Sequence, residues 1–109
     1  MKLIEKSRLT DLMRAALDAG KAVVAPVSGD GGYSAYVAIT DPAAADLTVR
    51  TTKIPLKSVF FPVTECVLKF KVENGKTALA DTPLPEGECV VFGAKPCDAA
   101  SLPVMDKVF

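Results

Sequence analysis

Three stretches of the sequence predict an α+β domain (or a small α/β one) with a mixed, mainly antiparallel sheet. Residues 8–19 carry a helical apolar stripe that stops at Gly20. Two hairpin signals follow, Gly29–Gly32 and Asn74-Gly75, each between β-rich runs. A continuous apolar run, Cys89–Phe92, then leads through a short turn into a helical segment opened by Asp98. The expected frame is an N-terminal helix, a sheet, and a C-terminal helix following the last strand.

In the first helix, Leu9, Leu12, Met13, Ala16 and Leu17 fall at i, i+3, i+4, i+7 and i+8, which puts them on one face. Ser7 is the expected N-cap, and Gly20 supplies the left-handed stop. Ala22–Ser28 (AVVAPVS) reads as a strand whose Pro26 lacks a ladder N–H and so points to an edge or a strand end. Tyr33–Ile39 returns after the glycine turn to make a hairpin. The Gly29–Gly32 turn lacks both a following helix and a Lys-Ser/Thr pair, so it is not a phosphate cradle.

Asp41-Pro42 opens a turn with one helical turn over Ala43–Ala45, and Leu47–Thr52 reads as a short strand. Ser58–Phe61 is short and very apolar between Pro55 and Pro62. Phe60 and Phe61 plug the core on one reading; on the other they form an apolar contact for a neighbouring domain or subunit. Glu65–Val72 alternates, with Cys66, Leu68, Phe70 and Val72 on one face. Asn74-Gly75 then demands a type I′ hairpin turn, and Lys76–Ala80 returns. Thr82–Gly87 is a proline-rich loop, and Cys89–Phe92 reads as a strand covered on both faces. In the last helix, capped by Asp98, Leu102, Met105 and Val108 line the buried side, and Pro103 predicts a kink or a restart.

Length and charge narrow the class. The 109 residues suggest one domain, 1–109, with one modest core. Thirteen basic and thirteen acidic side chains leave no net charge, which is no nucleic-acid footprint. A near-neutral surface also does little to keep molecules apart, so association with a partner is easier, and the apolar C-terminal edge allows a homo-oligomer. No stretch approaches the ~20 apolar residues of a membrane span. MKLIEKSRLT lacks the apolar core of a signal peptide. Three cysteines without framework spacing read as reduced, hence a cytoplasmic location.

The absence of histidine excludes imidazole bases and histidine metal sites. Cys66, Cys89 and Cys97 show no Cys-x-x-Cys spacing and fall short of a zinc or four-cysteine cluster site. Cys66 and Cys89, on strands, read as core residues. Cys97 just ahead of a helix start is the one chemical candidate. The positive end of the helix dipole favours its thiolate, Lys95 works in the same direction, and Asp98 opposes it. Nucleophile, redox thiol, cluster ligand and cofactor contact are the functional readings; a small apolar filler of a tight turn is the alternative. A thiol enzyme would need a base, and only lysines and carboxylates are at hand.

The text VFGAKPCDAASLPVMDKVF at Val91–Phe109 resembles an FG-x-[RK]-PCD-x-x-x-L…D-[KR]-VF signature. That signature belongs to the iron–sulfur beta subunits of nickel–iron hydrogenases and sulfhydrogenases, a family that includes the corresponding component of anaerobic sulfite reductase and other 4Fe–4S dicluster-domain proteins. Phe92, Gly93, Lys95, Pro96, Cys97, Asp98, Leu102, Asp106, Lys107, Val108 and Phe109 carry the match. Ala25–Val27 (APV) and Lys57–Pro62 (K-x-x-FFP) are similar to the same family's N-terminal region. The resemblance implies an N-terminal domain of a longer electron-transfer subunit, whose two 4Fe–4S clusters lie in a ferredoxin-like region that this chain lacks. No cofactor is then expected in this chain. The Gly93–Asp98 turn becomes the expected contact for the cluster-binding domain or other subunits of the redox complex, and Phe60 and Phe61 the expected apolar interface. A small thiol enzyme or redox sensor built on Cys97, and a plain interaction module, are the rival expectations.

Overall fold

The computed structural model describes residues 1–82 and 86–108. Residues 83–85 of the proline-rich loop, and Phe109, lie outside the described residues. Among the described residues three α-helices and five strands follow one another in the order α1 (Leu9–Asp18), β1 (Ala22–Ser28), β2 (Ser34–Ile39), α2 (Lys57–Phe60), β3 (Leu68–Glu73), β4 (Lys76–Asp81), β5 (Cys89–Val91) and α3 (Pro96–Val108). The class is α+β, as the sequence predicts: a helix at each end and mainly antiparallel pairing between.

The main sheet runs β2-β1-β5, and β3-β4 form a separate two-stranded ribbon. β1 pairs antiparallel with β2 from Val23↔Ile39 to Ser28↔Ser34, and parallel with β5 over Ala22↔Cys89 to Val24↔Val91. The side chains of β1 alternate between two small cores. Val23 and Ala25 join Met13 of α1 and Ile39 on one face, with Ala16, Leu17 and Phe92 packed around them. Val24 joins Tyr36 and Leu56 on the other face, beside Val59 and Val91. The sheet is thus covered by α1 on one side and by the α2 region on the other.

The helical stripe of α1 is observed, but its cap is not Ser7. A 3-10 turn over Lys6–Arg8 precedes the helix, and Arg8 stands at the N-cap without a side-chain capping bond. Ser7 instead donates its hydroxyl to the Glu5 carboxylate at 3.4 Å. Leu12, expected on the buried stripe, is 47% exposed.

Pro26 is buried and sits on the central strand, not at an edge. The peptide groups explain how. Ala22 N donates to Glu88 O and Phe92 N to Val24 O, so Ala22, Val24 and Pro26 turn theirs towards β5. β5 ends opposite Val24, so the N–H that Pro26 lacks has no strand to serve. Its carbonyl accepts from Asp46 N at 2.8 Å instead.

Leu47–Thr52 forms no strand. Asp46 intercepts it: its carboxylate accepts from the Thr48 N–H at 3.0 Å, from the Thr48 hydroxyl, and from the Ser28 hydroxyl at 2.7 Å. Local side-chain bonds of this kind compete with a ladder. Among the described residues, pairing on that side of β2 is limited to a bridge from Ala35 to Ile54.

The Asn74-Gly75 turn has the left-handed backbone that type I′ requires, at φ 51° and 74°. β3 and β4 pair from Leu68↔Asp81 to Glu73↔Lys76, and every residue of both strands is exposed. The ribbon therefore stands off the rest of the molecule. The radius of gyration, 17.6 Å, exceeds the roughly 13 Å of a compact domain near this length.

Candidate functional site

The stretch from β5 to α3 is organised by Gly93. The chain must leave the sheet there with φ +73°, a conformation glycine adopts freely. A Cβ at this position would stand 3.1 Å from Leu47 and 3.3 Å from Pro26, so the backbone lies directly against the sheet. Tyr36, buried on β2, reaches across to donate its hydroxyl to Gly93 O at 2.8 Å. Burial, together with the charges of Asp98 and Cys97, raises the phenol above its ordinary range.

The C-terminal helix begins two residues earlier than Asp98. Ala99 N donates to Lys95 O, and Pro96 is the first helical residue, where its missing N–H costs nothing. Cys97 is therefore in the first helical turn, not ahead of it, and Asp98 is an acid of that turn, not its cap. The helix runs through Pro103 to Val108 as one element, so it does not restart there. No residue of α3 is fully buried. Leu102 and Met105 are half-buried, while Val108 is 71% exposed and does not join the expected buried side.

All three cysteines are free and exposed. The core placement expected for Cys66 and Cys89 does not hold. β5 is an edge strand with β1 on one side only, yet Val91 packs against one core and Phe92 against the other, so both faces of the expected run are partly covered. Cys66 lies just before β3, where its sulfur accepts from the Thr82 hydroxyl at 3.6 Å. Cys97 is not the buried filler of a turn either. The Lys95 ammonium donates to Val49 O at 2.6 Å and pins the 46–52 loop against the helix start.

Beside Cys97 lies a hollow of about 330 Å³, lined by Arg50, Thr51, Thr52, Pro55, Lys95, Cys97 and Asp98. Pro55 also borders a second, larger and more apolar hollow of about 640 Å³, lined among others by Ile54, Phe61, Pro62, Val63 and Met105. A third, of about 340 Å³, lies between Phe60, Phe61, Leu102, Met105 and Asp106. Phe60 and Phe61 are 43% and 53% exposed, so they do not plug the core. That place is taken by Leu56, 2% exposed, one residue ahead of α2. Asp98, Leu102 and Met105 share one stripe of α3 by helical spacing. The turn predicted at Gly93–Asp98 and the phenylalanine pair thus border one continuous surface along that helix.

Sequence reasoning missed three contributors. Tyr36 read only as part of the returning strand, Arg50 as part of a strand, and the Lys95–Val49 bond spans 46 residues with no local sign. Among the described residues no group of three or more cysteine and carboxylate side chains is placed to hold a metal ion, and no helix is long and apolar enough to cross a membrane. Comparison with protein-family models, with curated proteins and with solved structures finds no match.

Proposed function

We propose that this chain is a non-catalytic docking domain of an iron–sulfur electron-transfer subunit, of the kind that serves a hydrogenase, a sulfur or sulfite reductase or a related redox complex. Its α3 surface receives the cluster-bearing domain or a partner subunit. The observation that carries the reading is the single surface joining exposed Cys97 to exposed Phe60 and Phe61. The residues of the FG-x-[RK]-PCD signature form one end of it, and the FFP phenylalanines the other. Three features suit it to docking. Exposed apolar side chains in a contiguous patch mark contact surfaces. The first turn of α3 offers a positive dipole end to a negatively charged cluster. The turn itself is held rigid by the Tyr36 and Lys95 bonds, so little ordering is required on contact.

The test is a binding titration against a ferredoxin-type domain carrying two 4Fe–4S clusters, taken from a full-length relative. Saturable binding, weakened at least about tenfold (1.4 kcal/mol) by Phe61→Glu and measurably by Cys97→Ser, is the expected result. No binding by the wild-type chain overturns the proposal. So does thiol-dependent turnover by the isolated chain that Cys97→Ser abolishes, which would make it a small thiol enzyme.

A further inference from the structure

The β3–β4 ribbon is independent of the α3 surface. Every residue of its strands is exposed, and Leu68, Phe70, Val72 and Leu79 share one face by register. A lone two-stranded hairpin is marginal in water, whereas three or more strands with an apolar face can be stable. We propose that the free edge of β4 pairs with the same edge of a second copy, antiparallel about a two-fold axis at Leu79, to make a four-stranded sheet.

The geometry of the hairpin selects this edge. In a two-residue turn the flanking pair, Glu73 and Lys76, exchanges backbone bonds, and bonded pairs alternate along the ladder. Lys76, Ala78 and Ala80 thus face β3, while Thr77, Leu79 and Asp81 turn their N–H and C=O groups outwards. Turning a second copy about Leu79 sets Leu79 opposite its equivalent and Thr77 opposite the second copy's Asp81. Every outward group then has a reciprocal partner, and a hydroxyl meets a carboxylate. Between them Ala78 lies opposite Ala80, with no charge and no bulk.

The other edge is closed to the same operation. β3 turned about Phe70 sets Lys69 opposite Lys71 twice, at the close non-bonded spacing where like charges repel. Lysines at such positions keep edges apart, and the corresponding positions of β4 hold alanines. The absence of net charge leaves no long-range repulsion between copies.

Sedimentation of the 109-residue chain from low to high micromolar concentration tests the pairing, with hydrogen exchange followed in parallel. The expected result is a rise in mass from 11.5 kDa towards twice that, with the amides of Thr77, Leu79 and Asp81 slowed at least about tenfold as the dimer forms. The double variant Ala78→Glu with Ala80→Glu sharpens it. Inside the hairpin each glutamate faces a lysine, Lys71 or Lys69, so the fold is supported. Across the two-fold axis glutamate faces glutamate, and the dissociation constant rises at least about tenfold. A chain that stays monomeric at high micromolar concentration overturns the proposal. So does a dimer whose three outward amides exchange freely, or one that the double variant leaves intact.

Discussion

Tyr36 and Gly93, 57 positions apart, are joined by a hydrogen bond of 2.8 Å from phenol to carbonyl. The bond runs from β2 over the central strand to the turn that launches α3. It connects the sheet core to the candidate contact surface through one buried side chain, so the turn cannot shift without disturbing the core. Replacing Tyr36 by Phe keeps the ring and removes the donor. The expected loss is about 1 kcal/mol, read as a lower urea midpoint. The raised phenol pKa gives a second signature. Stability from the neutral phenol is complete below the ordinary value of 10.0 and is lost as pH rises through the higher native value. Wild-type protein should therefore lose more stability than Tyr36→Phe between neutral and strongly alkaline pH.

Gly93 is tested from the other side of that bond. Gly93→Ala places a Cβ at φ +73° and within 3.1 Å of Leu47. The left-handed backbone alone costs about 1–2 kcal/mol for a residue with a side chain. Leu47 and Pro26 must also give way. A fall of roughly 4–8 °C in melting temperature per kcal/mol is expected in a domain of this size. Gly20→Ala is the comparison: it shares a positive φ but has open space around it, so it should cost less.

Asp46 holds the 46–52 loop to the end of β1. Hydrogen bonds from the Thr48 hydroxyl, the Ser28 hydroxyl and the Thr48 N–H lower its carboxyl below the ordinary range. A lowered native value means that the unfolded chain binds the proton more readily. The stabilisation is thus complete above the ordinary value of 3.8 and fades as pH falls through the native one. Asp46→Asn should be less stable than wild type near neutral pH. The difference should shrink as the solution is acidified below pH 3.8, measured by urea unfolding at a series of pH values.

Much of the frame was legible because it depends on neighbours in the chain. The α1 stripe, the β1–β2 hairpin and the Asn74-Gly75 turn are local patterns, and all three are observed. What failed depended on distant partners. Pro26 reads as an edge or strand-end residue until β5 is seen to stop short of it. Leu47–Thr52 reads as a strand until Asp46 is seen to hold the Thr48 amide. Phe60 and Phe61 are as apolar as Leu56, yet Leu56 alone of the three meets Val24 and Tyr36 in the core. At the candidate site the cysteine and glycine were visible in the sequence, whereas Tyr36 and Arg50 were not, since neither carries a motif.

Pro103 shows the same limit within one helix. Its ring removes a donor that would otherwise bond to Ala99 O, and interior proline costs a helix about 3 kcal/mol relative to alanine. The helix nevertheless continues to Val108, with Leu102 and Met105 half-buried against the α2 region. Tertiary packing of that stripe has therefore overridden a strong local penalty. Pro103→Ala restores the donor on an exposed face and leaves the contacting side chains in place. The variant should be more stable by about 1–3 kcal/mol in urea unfolding, the lower end applying if α3 frays before the sheet opens. Amide exchange distinguishes the two cases: slowing confined to α3 marks a locally fraying helix, and slowing of β1 as well marks a helix that unfolds with the core. An unchanged urea midpoint together with unchanged exchange in α3 would show that the proline imposes no penalty here.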